Sequence, residues 1–585
     1  MKRRNLKLAI CSLLALAALL SIFSGAAFAK GANHSIKASG GVTVSSTKAT
    51  APAAVEHTVN VKTLPVETSK PAVNHRPSLF FSGSKFAAAK KAAATNKNAP
   101  VGKTATPDPG TTKSGISGFP GMADSATICP YFGGCQPPDM ALATSPKFVL
   151  QGVNTSYAIY DTTGHLVLGP INDTTWYGVP PLPGNCDPAG PFMSDPRAFY
   201  DPNTGLFWTA TLQVEAAAFG VGVNCPNTSI YWIANLNVNT GIMHVYAFDM
   251  TLGGTVPAGA DYTQFGFSGS TIAVSGNMFD FSTGGFDFAE VLIADKHTME
   301  LGNAVTPAAF TDLGFFGING FVPVDTVQPV ETVTTPANDP GVQYFVNSFN
   351  IFGDPNGNDC FFTACSGFIV WAFDPANPST LGGAFTGSFG IGNNPGYVTP
   401  PNADEPGCLF CIETIDTRIT GTPVYSVGGG QPMISFSLDT GVSNGGSVFT
   451  NVVPGVLWGQ IQVSHFSSTV VAANLVQSGY LYFSGDRAAS FGAMMQDKNG
   501  KLFMVFDTMS ANLNPSIMIA SRSASDPLGS IGNVKFIIKG PSATFNSRWG
   551  DFEATSYTGF ASNHVWVASQ YSVSGDWNTF IARVS

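Results

Sequence analysis

From about residue 119 to the C-terminus, apolar and aromatic residues fall in short runs that alternate with polar positions, and Asp/Asn/Gly clusters separate the runs. The clearest unit is a strand, a tight turn and a second strand. It occurs as SYAIYDTTGHLVL (156–168), RAFYDPNTGLFWTATL (197–212) and FGAMMQDKNGKLFMVF (491–506). In each, an Asp or Asn is followed within a few residues by Gly, which supplies the positive-φ position a tight hairpin needs. Long helical periodicity is absent. Strand pairs recurring every roughly 45–75 residues predict an all-β chain arranged as a β-propeller. Segmentation at the turns gives seven blades, starting near Asp139, Asp195, Asp261, Val327, Asp416, Asp486 and Asp551, with six or eight as alternatives. The last run, TFIARVS (579–585), is expected to close the ring by pairing with a strand from the first blade. A pair of β-sandwiches is the other architecture, and the lack of a linker argues against it.

The first 118 residues follow different patterns. Lys2, Arg3, Arg4 and Lys7 precede an apolar run from Leu8 to Phe23, and Ala27-Phe28-Ala29 has the small-x-small form of a cleavage site. Residues 1–29 therefore read as a secretory signal peptide, a retained anchor being the alternative. Cys11 follows Ile10 rather than a small residue, which argues against a lipoprotein signal. Residues 30–118 are rich in Ala, Ser, Thr, Lys and Pro, and such a composition predicts a disordered tail, with a passing Ala/Lys helix over Ser84 to Lys97. The propeller domain is placed at 119–585.

Charge sharpens that division. The tail carries twelve Lys/Arg and three acids, a net +9, whereas residues 119–585 carry twelve basic and thirty-four acidic residues, a net −22. A body so acidic argues against a nucleic-acid partner, because phosphate contacts need a basic face. The basic tail suits an anionic wall or membrane surface, or else a solvated spacer or removable pro-segment. No later segment reaches the roughly 18 apolar residues of a membrane span. Charged residues are only 11% of the 585, with 64 Gly and 40 Pro, which excludes a coiled coil or helical bundle. A secreted, extracellular monomer follows, associated with the cell surface if the tail is retained.

Eight cysteines follow the signal, an even count that favours disulfides in a secreted chain. Close spacing suggests Cys129–Cys135, Cys360–Cys365 and Cys186–Cys225. Cys408-Leu-Phe-Cys411 has the spacing of half a zinc site, yet no second pair or nearby His completes it, so a structural disulfide is expected there as well.

In a propeller the first strand of each blade lines a central channel, so residues at those strand starts converge at its mouth. Six of the seven starts have an Asp, a ring that would raise some carboxyl pKa values or hold a cation such as Ca2+. Four of the six arginines of the body lie within three residues of such an Asp: Arg197 with Asp195, Arg418 with Asp416, Arg487 with Asp486, and Arg548 with Asp551. They would either recognise a carboxylate or sulfate bidentately, or neutralise the aspartates and lock adjacent blades. The second role is favoured, since pairing satisfies both buried groups. Asp261 joins the ligand-binding candidates by position, and Trp549, beside Arg548, would stack on a sugar ring unless it fills a blade core.

Glycoside hydrolysis needs two carboxyls, one with a raised pKa. Asp195, Asp261, Glu413, Asp416, Asp551 and Glu553 qualify by position; Asp195 would be base or nucleophile, Glu553 the acid, and Arg197 and Arg418 clamps. The stretch Asp354-Pro-Asn356-Gly-Asn358-Asp359 opens like a calcium loop but lacks Gly at its sixth position and Glu at its twelfth, where Cys365 stands. No cofactor is required by any motif. The absence of H-E-x-x-H and P-loop motifs argues against a zinc protease or a nucleotide enzyme.

The runs QPPDMALATSPKFVLQGVNTSYAIYDTTGHLVLGP (136–170), DPRAFYDPNTGLFW (195–208), SRSASDPLGS (521–530) and SRWGDFEATSY (547–557) resemble secreted bacterial β-propeller proteins of the sialidase-like superfamily, a group whose function is mostly undemonstrated. The resemblance spans most of residues 130–585 and implies the propeller fold. The sialidase Asp box S-x-D-x-G-x-T-W is not reproduced: Asp201 to Gly205 is too widely spaced and the leading Ser is missing. The leading expectation is binding of a glycan or cell-wall polymer without catalysis. A mouth-carboxylate glycoside hydrolase and a structural envelope protein are the alternatives.

Overall fold

The computed structural model describes residues 35–37, 43–66, 84–102, 106–107, 115–125, 127–129, 135–186, 190–216, 224–251, 258–317, 320–349, 364–386, 395–443, 452–465, 471–544, 546–560 and 562–585. They form antiparallel sheets in a β-propeller arrangement. The hairpins expected from the Asp-to-Gly runs are present, and their turns show why. Asp161 Oδ1 accepts the Thr163 and His165 amides, Asp201 Oδ1 accepts the Asn203 amide, and Asp497 Oδ1 accepts the Asn499 and Lys501 amides. Gly164, Gly205 and Gly500 follow at φ of 97°, 74° and 78°, so the carboxylate closes the turn and the glycine reverses it.

Among the described residues five separate sheets of four or five strands are formed, rather than the seven blades expected. The starts near Asp139, Val327, Asp486 and Asp551 each lie just before a strand of a separate sheet, and Asp195 lies within the strand Met193–Asp201 of another. Those near Asp261 and Asp416 lead into two halves of one twelve-stranded sheet. The short strand Glu331–Val333 causes the merger, because it pairs in parallel with Ala258–Phe267 on one side and Val424–Ser426 on the other. Apolar clusters sit between neighbouring sheets. One joins the first sheet to the second through Leu150, Tyr157, Phe207 and Trp232, and another joins the last two through Val505, Ile517, Val567 and Ala582.

The C-terminal run closes the ring with a strand that precedes the first sheet, rather than with one of the first sheet's own strands as expected. Asp576–Val584 pairs with Ile116–Ala123, which completes the last sheet from the N-terminal side. The first sheet then meets the last where the Thr144 amide donates to Ser556 Oγ at 2.9 Å.

The described stretches within residues 30–118 are ordered, unlike the disordered chain expected there. Thr43–Thr50 pairs with Ala308–Gly317, and Val55–Asn60 pairs with Ile242–Asp249. The helix Ser84–Ala93 is present, and Val101 bridges to Ser443. Low apolar content does not prevent order here, because these segments bond to sheet edges whose amides and carbonyls are already aligned. Val44 and Ala51 are buried against the body, so the core is shared across the expected boundary. Among the described residues no helix is long and apolar enough to cross a membrane.

Cys129–Cys135 and Cys186–Cys225 are disulfides, as expected. Cys365 is disulfide-bonded, and its expected partner Cys360 lies outside the described residues. Cys408 and Cys411 correct the expectation: both are thiols, placed along one strand, Cys408–Ile412, rather than on two facing ones.

Candidate functional site at the channel mouth

The chain enters the inner strands through strained backbone. Asp139, Asp195, Tyr262, Thr326, Ile415 and Phe491 all have φ between 44° and 57°, a region that costs non-glycine residues about 1–3 kcal/mol each. A repeated device offsets it: a side-chain oxygen from one sheet accepts a backbone amide of the next. The Asp195 amide donates to Asn154 Oδ1 at 2.9 Å, and the Thr263 amide to Asp195 Oδ2 at 3.1 Å. The Thr326 amide donates to Asn277 Oδ1 at 2.6 Å, and the Phe491 amide to both oxygens of Asp439 at 2.9 Å. The Asp551 amide donates to Asp139 Oδ1 at 3.1 Å, which carries the pattern across the ring closure. Several mouth carboxylates are thus latches between sheets.

The arginines divide. Arg418 is buried and forks onto Asp416, with Nε to Oδ1 at 2.9 Å and Nη2 to Oδ2 at 2.7 Å, while its guanidinium lies 4.3 Å from the Tyr262 ring centre. Arg548 Nη2 donates to both oxygens of Asp551 at 2.7 Å, and its Nη1 lies 3.8 Å from Glu413. These three side chains are 17–23% exposed, so this part of the cluster reaches solvent. Arg197 is buried with its guanidinium 3.2 Å from the Phe552 ring centre; Nε reaches Thr263 O at 3.5 Å and Nη2 has no hydrogen-bond partner. Arg487 is not part of the mouth. It lies over Phe483 and donates to Thr508 Oγ1, while Asp486 accepts the Ala511 amide, so the expected Asp486–Arg487 pair gives way to separate local partners.

Crowding sets the titration of these acids. Burial, then the charge of Asp551, pushes Asp195 up to about 6 against the pull of Arg197. Burial, then Asp195, raises Asp261 to about 8 against Arg418. Asp139 is held well above the usual carboxylate range by burial, Asp551 and Asp195. Burial opposes the charge on Arg548, but Asp551 and Glu413 more than compensate and hold its pKa up.

Glu553 and Trp549 lie away from the open cluster. Trp549 is 1% exposed and donates Nε1–H to Asp507 Oδ2 at 2.7 Å, so it is a core residue and not a sugar platform. Glu553 is buried, its carboxyl held neutral chiefly by desolvation and next by Asp507. It lines a cavity of about 20 Å³ with Arg197, Glu331, Met140, Phe199 and Thr555. That is room for about one water and far too small for a sugar ring. The structure thus brings together Asp195, Asp261, Asp551, Arg197, Arg418 and Arg548, and Asp416 as the partner of Arg418.

Asp354, Asn356 and Asn358 lie outside the described residues. Among the described residues, no three His, Cys, Asp or Glu side chains are grouped to hold a metal ion.

Sequence reasoning missed Asn154, Tyr262 and Phe410. Phe410 is 54% exposed at φ 54° on the hairpin Ala403–Glu405/Cys408–Ile412, three residues before Glu413, and its amide donates to Asp404 Oδ1 at 2.7 Å. A large aromatic held in strained backbone and left in solvent is the one available signal for it, and only the fold displays that.

Known structures of similar shape include the phage phi92 endosialidase, at 8% identity over 77% of this chain and 67% of that chain, TM-score 0.33. The Hadza microbial sialidase Hz136 is similar at 10% identity over 76% and 74%, TM-score 0.32. The Dos1 propeller is similar at 10% over 76% and 78%, TM-score 0.28. No family model and no curated protein matches the chain.

Proposed function

We propose that this chain is a secreted, monomeric β-propeller that binds a glycan or cell-wall polymer at the channel mouth without cleaving it. The observation that carries the reading is the half-open group Arg548, Asp551 and Glu413, with the exposed ring of Phe410 three residues before Glu413 in the chain. Guanidinium and carboxylates offer donors and acceptors to sugar hydroxyls, and an aromatic face suits the apolar face of a sugar ring. The basic stretch before residue 119 would add attraction to an anionic surface. The test is retention of the chain on plant, bacterial and sialylated glycans, with released sugars followed by mass spectrometry. Retention without product, weakened at least tenfold by Phe410→Ala, is expected. Equal retention of that variant, or product from any glycan, would overturn the reading.

A hydrolase is the second reading, favoured by one observation: neighbouring carboxyls of Asp195 and Asp261 are pushed up to about 6 and about 8, a split that separates acid from base. On that reading Asp195→Asn and Asp261→Asn abolish product while the fold survives.

A further inference from the structure

Beside the mouth, the body forms a pocket that the helix Ser84–Ala93 fills with a single side chain. Lys90 is buried, whereas its neighbours Ala87, Ala88 and Lys91 are exposed. Its Nζ donates to Pro400 O at 2.9 Å, Thr414 Oγ1 at 2.9 Å and Ile415 O at 2.6 Å. An ammonium has three N–H donors and no acceptor, and three acceptors meet it here.

The pocket belongs to the body and is organised without the helix. The Thr414 hydroxyl donates to Pro401 O at 2.7 Å, which turns a lone pair toward the ammonium. Ile415 stands at φ 50°, an outlier for a β-branched residue, and its strained peptide presents the carbonyl that makes the shortest of the three contacts. Burial works against a charge here and lowers Lys90 to about 8, and Glu413, Asp416 and Asp439 offset part of that cost. Phe86, Ala89 and Ala93 are the buried apolar side chains of the helix, and the Val452 amide bonds to Ala94 O just beyond it. A planar guanidinium does not match three converging acceptors, and an amino sugar, with its ammonium directly on the ring, lacks the alkyl stem that carries Lys90 to them.

We propose that the Pro400–Thr414–Ile415 pocket is a binding site for a primary alkylammonium group of the lysine side-chain type, occupied in this chain by its own Lys90. The tethered lysine competes at the high effective concentration of an intramolecular ligand, so an outside amine binds readily only when Lys90 is removed or displaced.

The experiment uses the full chain, Lys90→Ala, and n-butylammonium as probe, with tetramethylammonium at equal ionic strength as the cation without N–H donors. The expected result is a saturable rise in the thermal midpoint of Lys90→Ala with n-butylammonium, at least twice that seen with tetramethylammonium, and no such difference in the unsubstituted chain. Equal responses to the two cations in Lys90→Ala would overturn the proposal. Should that variant fail to fold, Lys90→Ser takes its place with the same two cations: a rise in its thermal midpoint with n-butylammonium at least twice that with tetramethylammonium supports the proposal, and equal responses overturn it.

Discussion

At the scale of single residues, the mouth is held by charges that cannot be removed one at a time. Asp416 and Arg418 are both buried and joined by two short hydrogen bonds. Removing one partner strands the other charge in a poorly solvating interior, which costs about 3–5 kcal/mol. Arg418→Ala is therefore expected to lower unfolding stability by about that amount, measured by urea denaturation. Replacing both residues with apolar ones of similar volume should cost clearly less. A single-variant loss below about 1 kcal/mol would show that Tyr262 and water compensate for the pair. The local Asp–Arg spacing made this pair legible in the sequence. The same spacing misled at Arg487, where the ring of Phe483 and the hydroxyl of Thr508 are nearer partners than Asp486.

At the scale of elements, the turns were legible and the edges were not. An Asp followed by Gly closes a hairpin through contacts within five residues, so DTTG, DPNTG and DKNG state their structure locally. The pairing of Thr43–Thr50 and Val55–Asn60 with Ala308–Gly317 and Ile242–Asp249 is a different matter, because it depends on acceptors two hundred residues away. Those two strands cover edges that would otherwise offer unpaired amides and carbonyls to other chains. Deleting residues 43–60 is expected to leave most of the β-signal in circular dichroism but to produce concentration-dependent association, seen by light scattering. A monodisperse deletion variant would mean that the exposed edges are protected by other means.

At the scale of the whole molecule, the ring concentrates acids that burial keeps protonated. Asp195 is raised to about 6, Asp507 to about 7, and Asp261 and Glu331 to about 8, with burial the largest cause in each. The folded chain therefore holds more protons than the unfolded one between about pH 4 and 8. A group raised on folding stabilises fully below its unfolded pKa, and that contribution is lost as pH rises through the folded value. Denaturation midpoints should thus be higher at pH 5 than at pH 8. Glu331→Gln should flatten the dependence by removing the uptake of one proton. A midpoint that rises from pH 5 to pH 8 would contradict the assignment.

The sequence by itself determined the all-β class, the hairpins, the N-terminal helix, the close Cys129–Cys135 pairing and the set of Asp–Arg neighbours, because each depends on composition or on contacts a few residues apart. The tertiary structure alone decided that Glu331–Val333 merges two sheets into one and that stretches of residues 43–102 join the body. It also buried Trp549 and Glu553 while leaving Phe410 in solvent, and seated Lys90 beneath the mouth. The physical reason is the same in each case: these outcomes depend on which distant edges, acceptors and charges meet, and a ring that closes on itself brings together residues that no local pattern relates.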